Sequence, residues 1–227
     1  MDKKADVRAF DINIRNEKLS FKIQYKGRSY SLEIEAAGKH FVYTALAAFS
    51  VGVILGLEPS EILRNLAYFK PLPGRGRILA GKKQTLIVDE SYNANPLSMQ
   101  AALDFIKEIK WQGRKVLVLG DMKELGSLSH KEHLRLVPHI LFADLVIFVG
   151  PEIEPAFEKA TQDGLPCFYY RRVEDLLKNL ESVIKPNDLI LFKASQSIRL
   201  EKAVAKILSE KYNPKEVLVR QEREWQG

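Results

Sequence analysis

The chain carries one cysteine, Cys167, in 227 residues. No internal disulfide can form, which fits a reducing compartment, and the expected location is the cytoplasm. Cys167 stands between Leu165-Pro166 and Phe168-Tyr169-Tyr170, a setting of burial rather than reactivity. No cysteine–histidine cluster has zinc spacing. His130 and His133 lie three apart with no third ligand nearby, so they read as exposed helix residues and no metal ligand is assigned. The opening MDKKADVRAF lacks the apolar core of a signal peptide. One charge-free stretch, Phe41 to Leu57, is short for a bilayer span and contains Tyr43, Thr44, Ser50 and two glycines; it reads as a buried helix of a soluble domain, with no membrane role. Three signatures are also missing. Without GxGxxG a dinucleotide oxidoreductase is poorly supported. Without GxxxxGK[ST] there is no Walker A phosphate cradle. Without GxSxG there is no nucleophile elbow.

What is present is an ordinary globular composition, 46% hydrophobic and 28% charged. Lys+Arg 35 against Asp+Glu 29 gives +6, spread along the chain without a dense basic block. A solvated surface is the first reading of that excess, help in holding an anionic small molecule the second; nucleic acid is not expected.

The chain reads as two parts. Residues 9–36 alternate apolar and polar, with turn signals at Arg15-Asn16-Glu17 and Lys26-Gly27, and predict a small antiparallel meander. The apolar helix follows, and then an amphipathic one opening at Pro59-Ser60-Glu61 with Ile62, Leu63, Leu66 and Phe69 on one face. LPGRGRILAGKKQ (72–84), with four basic residues, is a connector, and the boundary is set there: 1–80 and 81–227. So small a first part makes a poor independent core. The second part alternates strands (TLIVDE, KVLVLG, DLVIFVG, PCFYY, DLILFK and a final EVLVR) with helices, among them 130–141 and 199–212. Continuous apolar strands between helices predict an α/β fold, a Rossmann-like, doubly wound, mostly parallel sheet covered on both faces. A small α+β part precedes it.

In such sheets ligands sit outside the carboxyl ends of the strands. Three strands are followed there by polar loops: DESYNANP, GDMKELG and KASQS. Asn95 before Pro96 is a good N-cap, and a helix N-terminus suits a phosphate or carboxylate. Asp89 and Glu90 offer acceptors to a ribose or ammonium, or Asp89 and Ser91 cap local backbone. Asp121 binds a ligand or caps a turn, and Glu124 fits a solvated face. Lys193 could hold a carboxylate, or Ser195 and Ser197 cap the next helix.

GKHFVYTALAA, LPGRGR, VDESYNANPLSM, VLGDMKELG and LFKASQS, in that order, resemble the Mur ligase family and its MurF branch. The resemblance covers the later part of the family's central ATP-binding domain and its C-terminal Rossmann-like domain. It implies an ATP- and Mg2+-dependent ligase. A tripeptide carboxylate is activated as an acyl phosphate and attacked by the amine of D-alanyl-D-alanine in peptidoglycan precursor synthesis. By resemblance His40, Arg75, Asp89, Glu90 and Asn93 approach ATP. Ser91, Tyr92, Asn95, Asp121, Glu124, Lys193, Ser195 and Ser197 approach the substrate. No catalytic residue or metal ligand is assigned. The sequence departs from the family pattern at Phe41 and Thr44, where the histidine motif has asparagines, and at Ala194 and Gln196, where KGSRS has glycine and arginine. The P-loop half is not in the chain, so the expected partner is a separate P-loop-containing N-terminal half, and the chain alone is expected to be inactive. The alternative is a non-catalytic nucleotide- or dipeptide-binding module of the same descent.

Overall fold

The computed structural model describes residues 5–15, 18–222 and 224. They fall into two compact units, Met1–Pro71 and Leu72–Gly227.

In the first unit β1 (Val7–Arg15), β2 (Lys18–Tyr25) and β3 (Arg28–Ile34) form an antiparallel meander. Asn16 and Glu17 of the first expected turn lie outside the described residues. The period-two pattern of β2 buries Leu19, Phe21 and Ile23, as one covered sheet face requires. Two helices cover that face, α1 (His40–Ile54) and α2 (Pro59–Leu66). Phe49 of α1 sits fully buried against Tyr25 and Tyr30. The expected buried helix is therefore buried on one side only. Val42, Ala45 and Phe49 face the core, while Tyr43, Val51, Ile54 and Leu55 are exposed. Three strands and one further helix supply a single layer of partners, too little to enclose a helix that is apolar all round.

The second unit contains β4 (Arg77–Ala80), β5 (Leu86–Glu90), α3 (Pro96–Glu108), β6 (Lys115–Gly120), α4 (Ser129–Leu134), α5 (Val137–Ile140), β7 (Leu145–Val149), α6 (Glu154–Gln162), β8 (Cys167–Tyr170), α7 (Val173–Val183), β9 (Leu189–Lys193), α8 (Glu201–Ile207) and α9 (Pro214–Val217). The sheet order is β4-β5-β9-β6-β7-β8. All neighbours are parallel except β4, which runs antiparallel to β5. This is the expected Rossmann-like α/β architecture. Ile87, Val116, Val118, Ile147, Ile190 and Phe192 point to one face and pack with Leu176 and Leu180 of α7 and Val204 and Ile207 of α8. The alternate strand residues face the other way, where Phe148 meets Phe157 of α6. Each such buried aliphatic side chain contributes roughly 1.5–3 kcal/mol of transfer free energy.

Four expectations are corrected. The connector contains a strand: Arg77–Ala80 pairs with β5, so the compact units part at Pro71/Leu72 rather than at 80/81. The helix expected over 130–141 is two helices, broken at Arg135 and Leu136. The last long helix stops at Ile207, because Leu208 turns extended and bridges Gly81. EVLVR is no strand. Asn213 accepts from the Lys215 amide at 3.2 Å, and Pro214 at the first position starts the short α9. Cys167 on edge strand β8 is half-buried, its Sγ 3.3 Å from Thr161 Oγ1.

Candidate functional site

β5, β9 and β6 are adjacent, and the loops at their carboxyl ends line one cleft of about 510 Å³. Asn93 and Asn95 come from the first loop, Lys123 and Glu124 from the second, Ser197 and Arg199 from the third. The wall of the first loop is set locally. Asn95 Oδ1 accepts from the Ser98 amide at 2.8 Å and Ser98 Oγ accepts from the Asn95 amide at 3.0 Å, a reciprocal box that starts α3.

Buried polar side chains fasten the three loops together. Lys193 is 1% exposed. Its ammonium donates to Glu90 Oε2 at 3.0 Å and to the Asn93 carbonyl at 3.1 Å. Ser195 Oγ accepts from the Lys123 amide at 2.8 Å and donates to the Ala94 carbonyl at 3.3 Å, so one hydroxyl ties all three loops. Asp121 is fully buried. Its Oδ1 accepts from the amides of Glu152 and Ile153, both at 2.9 Å, and its Oδ2 lies 2.9 Å from Lys123 Nζ. Lys123 also donates to Glu152 at 2.7 Å, which holds that carboxyl below the ordinary range. Gly150 completes the packing. At φ 120, a Cβ there would stand 2.4–2.6 Å from the Asp121 carboxylate.

His133, read from sequence as exposed, is fully buried. Its Nε2 accepts from the Met122 amide at 2.9 Å, so Nδ1 carries the proton and faces the Ser129 carbonyl at 2.8 Å. Burial lowers its pKa. His130 is exposed.

The remaining sequence-derived residues adjoin β5. Asp89 is wholly buried; Oδ1 accepts from the Ser91 amide at 3.1 Å and Oδ2 has no hydrogen-bond partner among the described residues. Burial pushes this carboxyl up to about 6. Arg75 lies over the Tyr92 ring, 4.2 Å from its centre. The Tyr92 amide donates to the Gly74 carbonyl at 3.1 Å. His40 belongs to the first unit, where it opens α1 with its ring 4.3 Å from that of Phe41.

Of the residues named from sequence, then, Asn93, Asn95, Glu124, Ser195 and Ser197 share the cleft. Lys193, Glu90 and Asp121 spend their charged groups on protein contacts. Sequence reasoning missed Lys123, Arg199, Glu201 and Arg220. Lys123 was legible inside GDMKELG; the other three carry no local signal.

An α/β domain with polar loops gathered at the carboxyl ends of three adjacent strands has a counterpart among known families. The profile described as "Mur ligase, glutamate ligase domain" matches residues 74–196, and the chain belongs to the Mur ligase family. Within it, the similarity is to the UDP-N-acetylmuramoyl-tripeptide–D-alanyl-D-alanine ligases. That of Bacillus subtilis is 31% identical over 212 residues, covering 89% of this chain and 45% of the relative. That of Escherichia coli is 30% identical over 204 residues, covering 88% and 44%. MurF from Acinetobacter baumannii superposes with a TM-score of 0.79 at 28% identity, over 90% of this chain and 45% of that one. The chain thus spans somewhat under half the length of the relatives it matches.

Proposed function

We propose that this chain is the MurF-type portion of an ATP-dependent, cytoplasmic ligase that joins D-alanyl-D-alanine to UDP-N-acetylmuramoyl-tripeptide in peptidoglycan precursor synthesis. The observation that carries the reading is the single cleft lined by all three motif loops. In this reaction the γ-phosphoryl group of ATP passes to the tripeptide carboxylate, releasing ADP. The dipeptide amine then attacks the acyl phosphate and releases phosphate as the amide forms. The chain's part is positioning and electrostatic: it orients the amine before attack and excludes water. Asn93, Asn95 and Ser197 offer the dipeptide neutral hydrogen-bonding groups. Lys193 acts on the same site indirectly, holding the Asn93 carbonyl. Arg75 on Tyr92 suits the nucleotide side, and Asp89, wholly buried, acts there by holding the Ser91 amide at the start of the loop. Among the described residues no three of His, Cys, Asp and Glu converge to hold a metal, so Mg2+ is assigned no ligand in this chain. The partner that this reading requires is a P-loop-containing half, and the chain alone is expected to have no ligase activity.

A second reading, a binding module without catalysis, draws support from two positions. Gln196 stands at the cleft where the family motif has arginine, and Phe41, in the place of an asparagine, is 8% exposed in the core of the first unit. Calorimetric titration with D-alanyl-D-alanine and separately with Mg-ATP tests both readings. Dipeptide binding that is lost in Asn93→Ala supports the cleft. Dipeptide-dependent phosphate release by the chain alone would refute its expected inactivity. Binding of neither ligand, with or without a P-loop-containing partner fragment, would sink both readings.

A further inference from the structure

Arg220 lies two residues beyond the buried Leu218, in a stretch after α9 that pairs with no strand of the sheet. Its φ is 55, in the left-handed region, which non-glycine residues hold only where surrounding contacts over-determine it. Those contacts are specific. Arg220 is 7% exposed. Its Nη2 donates to Glu201 Oε2 at 2.6 Å and to the Ser91 carbonyl at 3.0 Å, and Nη1 lies 3.5 Å from the Tyr92 carbonyl. Glu201 is 1% exposed, and its other oxygen accepts from Nε of Arg199. Arg199 also has a left-handed backbone, φ 62. One buried carboxylate therefore grips two guanidinium groups. One holds the start of the loop after β5, the loop that places Asn93 and Asn95. The other stands in the loop after β9 and lines the cleft itself.

Burying Glu201 and Arg220, with Arg199 partly buried beside them, carries a desolvation cost, and such clusters serve specific geometry better than net stability. Arg220 is too buried to meet a ligand, so its effect passes through what it holds. We propose that Arg220, acting through Glu201, is a positioning residue for the cleft: it sets the β5 and β9 loops in one relative placement and so presets the groups that receive the carboxylate-bearing dipeptide. The dipeptide part of this inference rests on the function proposed above.

The test compares the full chain with its Arg220→Lys and Glu201→Gln variants. Lysine keeps the positive charge beside Glu201 but loses the planar fork that reaches carboxylate and backbone together. Amide spectra of the ligand-free proteins give the first readout. Arg220→Lys is expected to shift the amides of Ala94 and Asn95 and, with them, those of Gln196 to Arg199, which the substituted side chain does not touch. Calorimetry with D-alanyl-D-alanine gives the second, an expected loss of about tenfold in affinity, the scale of one hydrogen bond to a charged group. An Arg220→Lys spectrum changed only at Tyr92 and Asn93, whose peptide carbonyls Arg220 holds, with 196–199 at their wild-type positions, overturns the inference. So does a folded Glu201→Gln protein with both loops unmoved; should that variant fail to fold, Arg220→Lys carries the test alone. Absence of dipeptide binding in the wild type would count against the proposed function, while the amide shifts would still decide the positioning role.

Discussion

Asp89 is a buried carboxyl that lowers the stability of its own fold at neutral pH. Its ordinary value is 3.8 and burial raises it to about 6. Below 3.8 it is protonated in both folded and unfolded chains and contributes nothing. Between 3.8 and about 6 the unfolded chain releases the proton while the folded protein keeps it, so stability falls as pH rises. The loss is partial at pH 4.5, about 1 kcal/mol, and complete above about 6, about 3 kcal/mol at pH 7. Asp89→Asn removes the titration. The new amide keeps the oxygen that accepts from Ser91, but leaves an NH2 without an acceptor, a cost of about 1 kcal/mol at either pH. The variant is therefore expected to be about 2 kcal/mol more stable than wild type at pH 7 and about equal to it at pH 4.5. Urea unfolding followed by tryptophan fluorescence checks this, because Trp111 falls within the same unit as Asp89. A difference between variant and wild type that is the same at both pH values would refute the reasoning. A confirmed gain would mark Asp89 as a group kept at the expense of stability, the usual sign of a functional one.

Two further outcomes follow from the site. Gly150→Ala drives a methyl group into the Asp121 carboxylate and strains a positive φ; it is expected to cost about 2–4 kcal/mol in urea unfolding, and a loss under about 1 kcal/mol would contradict the packing. His133 is held neutral, with its pKa lowered by burial, so its contribution is present above the unfolded value of 6.5 and is lost as pH falls below it. The side chain introduced by His133→Gln can still accept from the Met122 amide and should remove this part of the acid sensitivity; an unchanged pH dependence of unfolding between about pH 5 and 7 would refute the assignment.

The sheet was legible because burial leaves a mark in local composition. LIVDE, KVLVLG, LVIFV and LILFK are runs of aliphatic residues that only a doubly covered strand tolerates, and all four became strands. β4 was not legible. RILA is four residues long, follows two glycines and begins with a charge, and it is extended only because β5 offers an antiparallel edge. The cleft was legible for a topological reason, since polar loops at the ends of neighbouring parallel strands must converge. What each polar group does inside it was not. The motif lysine at 193 was marked by its type, but nothing local says that its ammonium is turned inward to Glu90 and Asn93. Asp121 meets Glu152 and Ile153 across an intervening strand. Arg220 reaches Ser91 from the far end of the chain. Periodicity reports which face is covered; pairing across such separations is decided by the assembled fold.

The lone thiol of Cys167 has a practical consequence. It sits half-buried on the edge strand β8, two strands from β6 and its cleft loop, about 10 Å across the sheet. A maleimide dye or nitroxide attached there acquires a unique chemical address without any background mutation. From that station a distance ruler to a second label on a cleft ligand would read loop rearrangements in real time, on a protein otherwise unaltered.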